Sequence, residues 1–125
     1  MYAATISTVG GRAPLLKPHT IASFGQIHSS GYDLVARSHR AFGLGFQAQA
    51  DSCPVLGQGA FGHSGAAGPQ ALADPRSGLA YGYNRRRFPF PGGAAPENDR
   101  LVGAVHAAAV GQRGATSTVK SSSDQ

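Results

Sequence analysis

Cysteine occurs once in the 125 residues, as Cys53, which excludes an internal disulfide and leaves nothing to staple a small core. Its setting, Ser52-Cys53-Pro54, has no histidine or second cysteine at metal-ligand spacing, which argues against a metal centre or a reactive thiol. Large apolar residues are scarce as well. Leu, Ile, Val and Phe number 24, just under the share of about one-fifth at which burial starts to lose to chain entropy. Glycine and proline, 18 and 8 residues, stay below the level of a low-complexity chain, so the composition predicts marginal folding and not disorder. No stretch approaches the length of a membrane span and no charged leader precedes an apolar run, so the expected location is the cytoplasm. No glycine-rich phosphate loop follows a strand, which sets nucleotide binding aside. His19, His28, His39 and His106 include no pair at i, i+4 on a helix with a carboxylate, so no metal and no other cofactor is expected.

Acidic residues are few: six Asp and Glu stand against eleven Lys and Arg, for a net charge of +5. The excess is most concentrated in Arg85-Arg86-Arg87. Such a run can attract phosphates or an anionic surface. Without interleaved aromatics or a basic helix it reads as a solvated loop, with no nucleic-acid partner.

Taken in order, residues 1–12 read as a helix end stopped by Gly10-Gly11. A second helix starts near Pro18, a favoured first-turn residue, and places Ile21, Phe24 and Ile27 on one stripe, although Gly25 weakens it. Residues 29–41 carry no periodicity and read as loop. Residues 42–50 alternate Phe, Leu, Phe, Ala, Ala against Gly, Gly, Gln, Gln, which predicts a strand. After a loop over 51–58, the segment Gly59-Ala60-Phe61-Gly62-His63-Ser64-Gly65-Ala66-Ala67-Gly68 reads as a strand whose small residues admit close backbone approach. Asp74-Pro75-Arg76-Ser77-Gly78 is a turn with a mechanism, since proline presets one dihedral and glycine tolerates positive φ. Residues 79–83 then return as a partner strand. Phe88-Pro89-Phe90-Pro91-Gly92-Gly93 cannot continue a central strand and reads as loop. A helix from Pro96 is signalled by Glu97 and Asp99 in its first turn and by Leu101, Val105 and Ala108 or Ala109 on one stripe, with Gly111 as its stop. Residues 112–125 are rich in Ser and Thr and are expected to be a disordered tail.

The run Phe61-Gly62-His63-Ser64-Gly65-Ala66-Ala67-Gly68, followed by Ala73-Asp74-Pro75 and Gly78-Leu79-Ala80-Tyr81-Gly82-Tyr83-Asn84, resembles the C-terminal part of the serine beta-lactamase-related family, nearest its class C-like esterases. Phe42-Gly43-Leu44-Gly45-Phe46 resembles the strand ahead of that triplet, and Leu15-Leu16-Lys17-Pro18-His19-Thr20-Ile21-Ala22 resembles a helix start of the family. The resemblance spans roughly residues 1–110. It implies an α+β fold, a partial beta-lactamase or transpeptidase-like architecture with an antiparallel sheet of about three strands, an N-terminal helix and a C-terminal helix packed on the sheet. Residues 1–111 are then the C-terminal segment of a hydrolase domain.

The resemblance also assigns chemistry. His63-Ser64-Gly65 matches the family's third motif, with His63 in the usual lysine place; His63 would set a polar or cationic group over the site and Ser64 would hydrogen-bond the substrate. Past Gly65, the Ala66 N–H would be one oxyanion donor. Pro69-Gln70 departs from the small, apolar residues usual there, and Pro69 lacks a ladder donor. The nucleophilic Ser with its Lys and the Tyr base are missing from this region. A Ser-x-x-Lys does occur at Ser117-Thr118-Val119-Lys120, but it follows all the strands in a polar tail, where the lysine is not desolvated, so it is not taken as the nucleophile motif. The resulting expectation is a fragment that carries the oxyanion strand, is inactive alone, and acts on a small ester or amide only when completed by an N-terminal half. Two rivals remain: a non-catalytic interaction or regulatory protein built on the hairpin, and a small basic protein that binds an anion through Arg85, Arg86 and Arg87. The oligomeric state is not readable.

Overall fold

A computed structural model describes residues 1–88 and 93–121, the last eight of these by backbone alone. Its centre is a six-stranded antiparallel sheet in sequential order, β1 (Ser29–Asp33), β2 (Ser38–Phe42), β3 (Gln47–Ala48), β4 (Phe61–Ser64), β5 (Gln70–Asp74) and β6 (Leu79–Tyr83). Four helices accompany it: α1 (Tyr2–Ile6), α2 (Pro18–Gly25), α3 (Gln49–Ser52) and α4 (Pro96–Ser121). None of the described helices is long and apolar enough to cross a membrane.

The α+β class and the antiparallel sheet agree with the sequence; the expected three strands are too few. Residues 29–41, read as loop, form the β1–β2 hairpin, with Ser30 opposite Ala41 and Asp33 opposite Ser38. Their side chains are mostly exposed, so no buried face imposes the alternation on which strand reading depends. At the hairpin turn Asp33 Oδ1 accepts the N–H groups of Val35 and Ala36 at 2.8 and 2.9 Å, an Asx turn that replaces the glycine signal usual in tight hairpins.

The strand expected over residues 42–50 is not continuous. Gly43 N donates to Phe46 O at 2.8 Å, and Phe42 pairs with Gln47, so residues 43–46 turn the chain back. β3 then lasts two residues before α3 begins at Gln49. Apolar–polar alternation was satisfied there by a turn and a helical turn that bury Phe46 and Gln49 in different places.

α2 begins with Pro18 at its first turn as predicted. Gly25, expected to weaken it, is required: a Cβ there would lie 2.3 Å from Gly59 Cα, so the helix end and the loop before β4 touch backbone to backbone. The Asp74 turn also forms as predicted, with Gly78 at φ +68°. α4 runs through Gly111, the predicted stop, to Ser121, because one glycine costs a helix only about 1 kcal/mol. The tail expected to be disordered from 112 is therefore helical to 121, and residues 122–125 lie outside the described residues. So do residues 89–92 of the predicted surface loop.

Strands β4 to β6 are covered on both faces. On one, Phe61 and Ala73 pack with Ile21 of α2, with Tyr2, Ile6, Leu16, Phe24 and Phe46 around them. On the other, Leu72, Leu79 and Tyr81 pack with Val102 of α4 and with Cys53, Leu56 and Ala60 of the loop before β4. Burial pushes the Cys53 thiol above its usual range, with Asp99 adding to the effect. Beside this second cluster the fully buried Asp74 accepts Ser77 Oγ at 2.6 Å, Arg76 N at 3.1 Å and Gly57 N at 3.5 Å, and stands 3.6 Å from His106 Nε2 of α4. The turn residue recognised in the sequence thus also joins β5, the β4 approach and α4.

Candidate functional site

Strand alternation divides the predicted triplet between the two faces of the sheet. Phe61 and His63 point to the α1/α2 face; Gly62 and Ser64 point to the α4 face. His63 is exposed and its ring lies 6.5 Å from that of Phe42. Its Nδ1 is 2.7 Å from Ser64 O. A carbonyl has no hydrogen to give, so Nδ1 is the donor, and in the neutral ring Nε2 keeps a free lone pair. The ring borders an open depression of about 530 Å³ that Tyr2, Gly65, Pro69 and Tyr83 also line.

Ser64 uses its N–H and its hydroxyl on one acceptor, Gln47 Oε1, at 3.3 and 3.4 Å. Both contacts are long, so they are weak. After Ser64 the chain makes a tight turn: Gly65 N donates to Pro69 O at 2.9 Å, and Gly68 N to Gly65 O at 3.0 Å. Pro69 therefore sits just outside the ladder, which starts at Gln70 opposite Ser64, and its missing N–H costs the sheet nothing. The exposed Ala66 lies in this turn, and its N–H has no hydrogen bond to the described residues.

The Arg85-Arg86-Arg87 run is not uniform. Arg85 Nη1 binds Glu97 Oε1 at 2.9 Å, and Tyr83 OH donates to the same oxygen at 3.1 Å, which ties β6 to the start of α4. Glu97 is held below the usual carboxylate range by its backbone N–H at the helix start, then by Tyr83 and Arg85. Arg86 and Arg87 are exposed. Ser117 and Lys120 lie on α4, remote in sequence from the triplet strand.

Sequence reading missed a set of polar residues on the α4 face next to Ser64. Tyr81 OH donates to Asn98 Oδ1, Asn98 Nδ2 to Gln70 Oε1, and Gln70 Nε2 to Gln49 Oε1, the last at 2.7 Å. Gln49 and Asn98 are 1% and 0% exposed, and Gln70 is buried too. Gln49 looked like the outward face of a strand, and Gln70 followed a proline; only α3 and the turn at 65–68 bring them inside. Gln49, Gln70 and Ser64 border a cavity of about 400 Å³ beneath the β1–β2 hairpin, which Arg37, His39, Arg40, Gln47 and Asp51 also line.

No family model matches the chain, and no curated protein matches it significantly. Among solved structures it is similar to EstA from Arthrobacter nitroguajacolicus, with 32% identity and a TM-score of 0.76 over 88% of this chain. The chain spans only 30% of the length of EstA. It therefore has the fold of part of an esterase-like structure.

Proposed function

We propose that residues 1–111 are the C-terminal segment of a serine hydrolase of the beta-lactamase-related, carboxylesterase branch, carrying the His63-Ser64-Gly65 wall and not the nucleophile. The observation that carries this reading is the combination of 32% identity and a TM-score of 0.76 to EstA with coverage of only 30% of that chain. Three local features fit it. His63 keeps Nε2 free at an open depression, on the opposite sheet face the Ser64 hydroxyl is held by one long bond that a substrate can displace, and the Ala66 N–H is an unused donor at the strand end, the kind of group that stabilises an oxyanion. The acid or base, the nucleophile and the second donor belong to a part of the hydrolase outside this chain, so the chain does not turn over alone. The rival in which Arg85, Arg86 and Arg87 together grip an anion is disfavoured by the commitment of Arg85 to Glu97.

The test mixes this chain with a separately produced N-terminal remainder of EstA and follows a short-chain nitrophenyl ester and a chromogenic cephalosporin. The chain alone is expected to be inert. Ester turnover is expected on mixing, and His63→Ala is expected to lower it at least about tenfold. Failure of the mixture to hydrolyse the ester overturns the reading. So does turnover by the chain alone that disappears in Ser117→Ala, which would make the α4 motif a nucleophile.

A further inference from the structure

Among the described residues, three buried side-chain nitrogens lack a hydrogen-bond partner: Arg40 Nε, Gln49 Nε2 and His106 Nε2. The last faces Asp74 at 3.6 Å. The other two belong to residues that line one cavity, the space of about 400 Å³ under the β1–β2 hairpin. Folded proteins satisfy the great majority of their buried polar groups, and each exception calls for an explanation.

Both groups are donors. For Arg40 this is inherent. For Gln49 it follows from the amide relay: Gln70 Nε2 fills Gln49 Oε1, Asn98 Nδ2 fills Gln70 Oε1, and Tyr81 OH fills Asn98 Oδ1. With the Tyr81 hydroxyl as donor at one end of the relay, Gln49 Nε2 is the free end at the other. Gln49 is 1% exposed, which places that end where bulk water does not reach it freely. Arg40 has a carboxylate beside it but no hydrogen bond to it. Its Nε stands 3.9 Å from Asp33 Oδ2, beyond hydrogen-bond range, while Asp33 Oδ1 is taken by Val35 and Ala36.

The charge on the walls points the same way. Arg40 pairs with Asp33 at 3.9 Å and His39 with Asp51 at 3.7 Å, which leaves Arg37 as the lining arginine with no ion pair among the described residues. An occupant that accepts from an amide and a guanidinium and sets a negative charge near Arg37 is a monoanion with planar oxygens. The remaining walls include Ala36, Ala41, Ala48 and Ala94, small groups that leave room for a short apolar body, and the volume is at the lower end of small-molecule sites. We infer that this cavity binds a small organic carboxylate, with Arg40 and Gln49 as its two anchoring donors. The site lies on the sheet face opposite His63; it shares Ser64 with the proposed hydrolase wall, but its two anchors, Arg40 and Gln49, have no part in that reading.

The test is a titration of the full chain with sodium benzoate, followed by backbone amide chemical shifts at constant ionic strength, with sodium chloride and benzamide as controls. Saturable shifts are expected at residues 40, 47, 49 and 64. Benzamide is expected to bind about tenfold more weakly, as are the Gln49→Leu and Arg40→Met variants towards benzoate, the loss typical of one hydrogen bond to a charged group. The wild-type shift map needs no variant and so survives any folding defect in them. Saturation that is absent, equal for benzamide, or confined to residues 85–87 overturns the site, and so does undiminished affinity in both variants when their spectra remain dispersed.

Discussion

On the α1/α2 face of the sheet, Phe61 meets Phe24, Phe46 and Tyr2 at ring-centroid distances of 5.2, 5.1 and 6.0 Å. On the α4 face, the same three strands present Gln70, Asp74 and Tyr81, joined to Asn98 and His106 of α4 and to Gln49 of α3. The first face is held by filled volume, which is non-directional and tolerates compensating changes in shape. The second is held by a directional relay in which each donor has to face an acceptor. Such a relay specifies how α4 sits on the sheet, and losing one member strands its neighbours. A chain poor in large apolar residues thus spends its aromatics on one face and uses polar complementarity on the other.

Deleting the centre of the aromatic face should have the largest effect. Phe61→Ala removes a fully buried ring and is expected to cost about 3–5 kcal/mol, a large part of the stability of a domain this size. Urea unfolding followed by far-UV circular dichroism reads it directly; a loss no larger than for an exposed residue such as Phe88→Ala would refute the packing account.

The polar face should respond less, and in a different way. Asn98→Ala leaves the buried Gln70 Oε1 without its partner, at about 1–3 kcal/mol, while the part-exposed Tyr81 OH can turn to water. Pairing it with Tyr81→Phe should cost less than the sum of the two single changes, because the second removes a group whose partner the first has already taken away. Additive costs from the same urea curves would mean the relay does not act as a unit.

The smallest effect concerns the hairpin that roofs the cavity. Asp33 is held below the usual aspartate range, mainly by the Ala36 N–H and then by that of Val35, with Arg40 adding a little. A depressed carboxylate contributes stability that is full above the ordinary aspartate range and is lost as the pH falls through the lower folded value. The amide resonances of residues 35 and 36 should move together in that acidic window and not near neutrality. Asp33→Asn should abolish the transition while leaving the α4 face intact.

The sequence by itself determined those elements whose signals are local. Pro18 opens α2 and Pro96 opens α4, Asp74 and Gly78 make the β5–β6 turn, and strands run through Phe61 and Leu79 on either side of it, because proline dihedrals, positive φ and the choice between burial and solvent are properties of a few neighbouring residues. The strand through His63 and Ser64 was also legible, but it is shorter than the one expected over residues 59–68: it ends at Ser64, and a turn from Gly65 sends the chain back as β5. Only the tertiary structure decided the rest. It showed that residues 42–50 turn back at Gly43 and enter α3, since the same alternation suits a strand or a turn followed by a helix. It made a hairpin of residues 29–41, whose exposed side chains leave no periodic trace. It put Gln49 and Gln70 in one buried relay and aligned them with Arg40 around a cavity, because hydrogen-bond partners 21 residues apart meet only when β3, β5 and α4 have been laid side by side.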